Sequence, residues 1–206
     1  MVRIVKKPAE RRLEIIRAAR RLFQTKEYNN TTMQDVMDDL GIAKGTIYYY
    51  FKSKEDLLEA VIENIVDESI EQMQSALVEL NGNALDKLRI LIGKGNMAAA
   101  NGEILESLHQ PGNSSMHNRL LAAALIKQAP VYAGLIQQGC QEGLFQTDTP
   151  LECAEFILAA LQFLTDQGIY PWTQSDLIRR ALAFPGLIEA QLKAAPGSFR
   201  FMLVQN

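Results

Sequence analysis

The stretch that most constrains this chain is the 28-residue run from Thr31 to Leu58, TTMQDVMDDLGIAKGTIYYYFKSKEDLL. Its first part places Met33, Val36, Met37 and Leu40 on one helical face and ends at Gly41, the residue best able to take a positive φ at a helix end. Thr32 with Asp35 three residues later predicts an N-cap and a capping box in which Asp replaces the usual Glu or Gln. Ile42 and Ile47 then turn a second short helix, about Ala43 to Tyr49, back onto the same core. Ser53 with Asp56 repeats the cap pattern and opens a much longer helix. Two short helices about a glycine, the second rich in lysine and tyrosine, form a helix-turn-helix signature.

The flanks read as helix throughout. Leu13, Ile16, Ala19 and Phe23 recur at helical steps over Glu10–Lys26, while Arg11, Arg12, Arg17, Arg20 and Arg21 lie largely off that stripe. From Ser53 to Leu80 the apolar period runs unbroken until Gly82, about seven turns at 3.6 residues per turn. Five more helical stretches are expected at about 84–109, 114–128, 130–145, 150–168 and 174–194. They are separated at Gln110–Asn113, Pro130, Gln146–Pro150 and Tyr170–Trp172. Phe184-Pro185-Gly186 should kink or split the last of them, because proline removes a helix hydrogen bond and clashes with the preceding turn. No strand alternation is evident, and the tail 196–206 receives no element. The expected fold is all-α: a three-helix head at 1–53, joined by the long helix to a helical body at 54–206.

Charge divides along the same line. The chain carries a net charge of −3, yet residues 1–34 hold nine Lys/Arg against three Asp/Glu, and residues 61–206 hold nine against fifteen. A basic end on an acidic body suits a nucleic-acid-binding head on a domain that should avoid nucleic acid. Cys140 and Cys153 form no CxxC pair, which argues against a zinc ribbon or a disulfide framework. There is no GxSxG, phosphate loop, HExxH or GxGxxG, so an enzyme is not expected. Met1–Lys7 lacks the apolar core of a signal peptide and no run approaches a membrane span, so a cytoplasmic protein with no membrane partner is expected.

Thr32-x-x-Asp35-Val36, Leu40 through Tyr48, and Tyr50-Phe51-x-Ser53-Lys54-Glu55-x-Leu57 resemble the signature of the TetR (tetracycline-repressor) family, with unbroken spacing. Ile16-x-Ala18-Ala19-x-x-Leu22-Phe23 fits the first helix of that family. Two positions depart from it. Glu27 stands where the family usually has glycine, and Met37 stands near where it has alanine, so packing between the two short helices is expected to differ in detail.

A helix fits the major groove of B-DNA and reads base edges with its first turns. Lys44, Gly45 and Thr46 occupy that end, where Gly45 allows close backbone approach. Tyr48, Tyr49 and Tyr50 cannot all face one way, so one or two should reach phosphates while another packs inward. Lys54 and Thr32 stand at helix N-termini that favour phosphate, and Gln34 is a candidate for base contact. A tyrosine run with lysines is ordinarily surface and core; the spacing of caps, glycine and aromatics sets this one apart.

The resemblance implies a ligand-responsive transcriptional regulator, a repressor. Such a protein binds a pseudo-palindromic operator in double-stranded DNA as a homodimer and is released by a small-molecule effector. A DNA-binding protein with no effector is the alternative. The expected dimer surface is Leu151–Gly168 with Ser175–Ala194, apolar on more than one face; the competing reading is that these residues bury one another within one chain. By the same resemblance the body should hold a pocket for an apolar or aromatic effector, with Met97, Ile104, Leu108, Met116, Leu120, Tyr132, Phe156 and Phe163 as candidate walls. No cofactor is expected. Glu103, Glu106, His109 and His117 do not make a convincing metal site, because Pro111-Gly112 separates the histidines.

Overall fold

The computed structural model describes residues 7–94 and 114–203, and every described regular element is helical. The helices are α1 (Pro8–Lys26), α2 (Met33–Leu40), α3 (Lys44–Tyr50), α4 (Lys54–Glu79), α5 (Ala84–Lys94), α6 (Ser114–Gln141), α7 (Pro150–Leu164) and α8 (Gln174–Leu192), followed by a 3-10 turn at Arg200–Leu203. Contacts divide the described chain into two compact units, residues 7–65 with 114–116, and residues 66–94 with 117–203. The division falls inside α4, after Ile65, where the sequence reading placed it at residue 53.

In the first unit α1 packs on α2 and α2 on α3. Helix α1 begins at Pro8, two residues before the expected start. Proline suits the first helical position, where no N–H is needed and its fixed φ is already helical. Ile15, Ile16, Ala19 and Phe23 of α1 are buried, as are Val36 and Met37 of α2, Ile47 of α3 and Leu57, Leu58 and Val61 of α4. Met37 is thus accommodated in the core despite its bulk. Phe23 meets Tyr28 edge-on at 5.1 Å between ring centres.

The departure at Glu27 has a visible consequence. Glu27 ends α1 at φ 65° and ψ 153°, a region that essentially only glycine visits. Such strain costs on the order of 1–3 kcal/mol. The Glu27 side chain recovers a fraction by accepting a 3.2 Å bond from Asn30 Nδ2. Glu27→Gly is therefore expected to stabilise the protein by about 1 kcal/mol, after allowing for the greater freedom of glycine in the unfolded chain. Chemical denaturation should show a higher midpoint; a lower one would mean that the backbone is unstrained there.

The second unit surrounds a core that includes Leu88 and Leu91 of α5, Ala129, Leu135 and Ile136 of α6, Ala154 and Leu158 of α7, and Ile188 and Leu192 of α8. The tail joins it: Phe199 is buried and stacks on Phe145 at 5.9 Å. Glu142, at the end of α6, accepts the Ala84 N–H at 2.8 Å and so caps the start of α5. His117 Nε2 meets Asp166 Oδ2 at 2.8 Å, tying the first turns of α6 to the loop after α7. By length and composition alone, His117–Gln141 is apolar enough to cross a membrane. Here it supplies Ala129, Leu135 and Ile136 to the core.

The break expected at Pro130 is absent, and of the kink or split expected at Phe184-Pro185-Gly186 the split does not occur. Residues 114–141 form one helix through Pro130, and α8 runs unsplit through Pro185. Each proline leaves one carbonyl four residues earlier without its helical partner. Those carbonyls belong to Ile126 and Ala181, both on exposed positions, where water can take the missing hydrogen bond. The Pro185 ring itself is buried.

Candidate nucleic-acid interface

The head is built so that the apolar sides of α2 and α3 turn inward and their polar sides turn out. Thr32 caps α2: its Oγ1 accepts the Asp35 N–H at 3.1 Å, and Asp35 Oδ2 accepts the Thr32 N–H at 2.8 Å. Lys26 Nζ adds a 2.6 Å contact to Asp35 Oδ1. The Lys26 bond foremost, then those of Thr32, hold the Asp35 carboxyl well below the usual carboxylate range. Gly41 closes α2 at φ 60°, and the Ile42 N–H reaches the Met37 carbonyl at 3.0 Å. Thr31 is buried and its hydroxyl donates to the Glu27 carbonyl at 2.8 Å, anchoring the entry to α2. The two-residue cap and the glycine are local interactions, which is why the sequence places these ends within one residue.

On the outer side, Gln34, Lys44 and Gly45 are exposed and Thr46 is half-buried. A side chain at Gly45 would meet no atom within 4 Å, so the packing of this chain does not require glycine there. Tyr49 is 78 % exposed and Tyr48 41 %, whereas Tyr50 is half-buried. Tyr49 meets Tyr50 edge-on at 4.9 Å, and Lys44 Nζ stands 5.8 Å from the Tyr48 ring centre. The expected split of the three tyrosines into outward and inward members is therefore seen in their exposure.

Lys54 takes a position the sequence did not suggest. Its Nζ donates to the Tyr28 carbonyl at 3.0 Å and stands 4.2 Å from the centre of the Tyr28 ring. Burial, with the Glu55 charge as a lesser cause, pushes the Tyr28 phenol up to about 12, so the ring stays neutral beside the ammonium. Lysine has three donors, and one is spent here. The side chain braces the start of α4 against the α1–α2 connection.

Three acids lie along α2 beside this surface. Asp35 is paired with Lys26, and Asp39 with Arg21 at 2.6 Å. Asp38 accepts instead from the amide of Gln34, at 2.7 Å from Nε2. The spacing of these two residues, four apart on a helix, is the signal from which their contact is legible; the sequence reading singled out Gln34 alone.

Of the candidate pocket residues, the described ones fall in different places. Met97, Ile104 and Leu108 lie outside the described residues, as do Glu103, Glu106 and His109, and the Met116 side chain is likewise outside the description. Leu120 is buried. Tyr132 lines a small apolar cavity of about 50 Å³ together with Leu88, Ile136, Ile157 and Phe199. Burial pushes its phenol up to about 12, so it is a neutral donor. Phe156 and Phe163 are elsewhere: both line an open groove of about 440 Å³ between α6 and α7, with Leu121 and Leu125.

The expected dimer surface divides in two. Leu158, Ile188 and Leu192 are buried within the chain, and Ile157 and Leu161 pack against the same core. Phe156, Phe163 and Leu164 of α7, with Ile178, Leu182 and Leu187 of α8, remain exposed. The reading of mutual burial within one chain holds for the first set of residues, and the second set is apolar and exposed in the single chain.

Comparison with known proteins matches the two units to two profiles. Residues 15–61 match the one described as bacterial regulatory proteins, tetR family, and residues 96–187 match the tetracyclin repressor-like C-terminal domain. The transcriptional regulator YfiR of Bacillus subtilis is 34 % identical over 67 residues, a match spanning about a third of each chain (32 % and 33 %). The repressor KstR2 of Mycolicibacterium smegmatis is 25 % identical over 70 % of this chain and 72 % of its own. The fatty acid metabolism regulator protein of Bacillus subtilis is 25 % identical over 80 % and 84 %. Among solved structures, a TetR-family transcriptional regulator from Pectobacterium atrosepticum has the same fold, with a TM-score of 0.67 at 20 % identity over 91 % of this chain and 98 % of the other.

Proposed function

The chain belongs to the TetR family of bacterial regulatory proteins, and from that premise we propose that it is a repressor that binds a pseudo-palindromic operator as a homodimer and is released by a small, apolar effector. The observation that carries this reading is the outward face of α2 and α3. It offers a lysine, a glycine, a threonine and two exposed tyrosines on α3, which follows the capped helix α2 and its Gly41 turn. Lysine and tyrosine are phosphate donors, and a short helix presents its first turn to base edges. Gln34, Lys44, Gly45, Thr46, Tyr48 and Tyr49 are the residues assigned to DNA, with Thr32, Tyr50 and Lys54 at its edge.

One such head contributes few contacts, so two heads related by a two-fold axis are needed for a specific site. The exposed apolar residues of α7 and α8 supply the surface for that pairing, as a four-helix arrangement with the same helices of a second copy. Helix α4 begins at Lys54, beside the head's core, and continues into the body. An effector that shifts α4 alters the spacing of the heads and their match to the groove.

Selection of bound fragments from a random DNA pool tests the central claim. The expected result is a two-fold symmetric site with half-site centres one helical turn, about 34 Å, or a multiple apart. No enrichment would overturn the reading.

The alternative of a DNA-binding protein without effector draws on one observation. The cavity beside Tyr132, at about 50 Å³, is far below the ~300 Å³ of ordinary small-molecule sites. The relative named for regulation of fatty acid metabolism favours the effector reading, with an apolar, acyl-like molecule as the ligand to try. A panel of fatty acids and acyl thioesters in thermal melts separates the two, because a ligand held only by the folded state raises the melting temperature.

A further inference from the structure

Asp38 is the acid of α2 that has no cation among the described residues to which the structure pairs it. Asp35 is bonded to Lys26 and Asp39 to Arg21. Asp38 is exposed on α2, and on the DNA-binding reading an acid there faces a polyanion, a placement that opposes binding. Its side-chain partner among the described residues is neutral, the Nε2 of Gln34 at 2.7 Å.

The chemistry of that bond fixes more than a distance. An ionised carboxylate only accepts, so it takes the NH2 end of the amide and repels the carbonyl end. Gln34 is therefore held in one of its two amide orientations. One N–H is spent on Asp38, while the carbonyl oxygen and the second N–H remain to face outward. An acceptor beside a donor is the pattern that matches the N6 amino group and N7 of adenine in the major groove. An unheld glutamine turns its amide over and donates to guanine or thymine oxygens as well.

We propose that Asp38 is a positioning residue for sequence reading: it locks the Gln34 amide in the sense that recognises adenine, at one base pair of each half-site. The inference rests on the DNA-binding reading above. It gives the uncompensated charge a role, since selectivity is gained where affinity is lost.

The test is pool selection with the full-length protein and three variants, Asp38→Ala, Asp38→Glu and Gln34→Ala, each checked for an unchanged melting temperature. Wild type should prefer adenine at one position of each half-site by about tenfold over the other bases. Asp38→Ala should keep the two-fold site and bind random DNA more tightly, while that preference falls below roughly threefold. Asp38→Glu, which still accepts from the amide, should restore the preference, and Gln34→Ala should lose it at the same position. Unaltered preference in Asp38→Ala would overturn the proposal, as would equal loss in Asp38→Glu. If wild type itself enriches no site, the DNA-binding reading falls and this inference with it, a result distinct from enrichment that Asp38→Ala leaves unchanged.

Discussion

Gly139→Ala is expected to destabilise the body by about 2 kcal/mol and to lower the melting temperature by roughly 4–8 °C. A Cβ at Gly139 would fall 2.2 Å from Phe145 Cδ2 and 2.4 Å from Cε2. The ring would have to withdraw by more than 1 Å to reach ordinary contact, which begins at about 3.5 Å. It has little room to do so. Phe145 is buried and stacked on Phe199, and its N–H is bonded to the Gly139 carbonyl at 3.2 Å. The following residue is pinned as well, by a 2.8 Å bond from the Gln146 N–H to the Leu192 carbonyl. Overpacking of this kind costs about 1–3 kcal/mol or more, and the better helix propensity of alanine returns at most about 1. Combining Gly139→Ala with Phe145→Leu should recover part of the loss. A double-mutant cycle with a coupling near zero would show that the two residues do not press on one another.

Neither residue of that pair was legible in the sequence, and the reason is general to this chain. The head was read within about two residues at every helix end because its signals are local. A threonine three residues before an aspartate, or a glycine that must take positive φ, acts over a single turn. Even a misfit to the family pattern, Glu27, marked the position where the backbone is strained. In the body the deciding contacts are distant in sequence. Pro130 is a breaker locally, yet Leu125 and Ala129 before it and Leu135 and Ile136 after it pack into one core and hold the helix continuous; Pro185 leaves α8 unsplit, with Phe184 before it and Ile188 after it both buried. The tail offered only scattered apolar residues, and its role came from Phe199 reaching Phe145. Lys54 was assigned by its place at a helix start, but the partner that turns it inward, Tyr28, lies 26 residues away. For the same reason the candidate pocket walls scattered: Tyr132 went to a small interior cavity, while Phe156 and Phe163 went to the surface.

Phe156→Glu combined with Leu182→Glu is expected to leave a folded protomer that no longer dimerises. Operator binding should fall on the order of 100-fold or more, because the second head then binds without the effective concentration that linkage supplies. The choice of residues decides what the experiment can show. Phe156 is 68 % exposed and Leu182 62 % exposed in the single chain, so a carboxylate at either position stays in water when the protomer stands alone. At a two-fold interface each substitution counts twice, removing two large apolar groups and placing like charges near the axis. Leu158, Ile188 and Leu192 on the same helices make the necessary contrast. A carboxylate at any of those positions would be buried without a partner and should unfold the protomer itself. Sedimentation should therefore report a monomer for the exposed pair with a melting curve that remains cooperative, and loss of the cooperative transition for Leu158→Glu. If the double variant sediments as a dimer, the outward faces of α7 and α8 are not the pairing surface, and the spacing of the two heads must be set elsewhere in the chain.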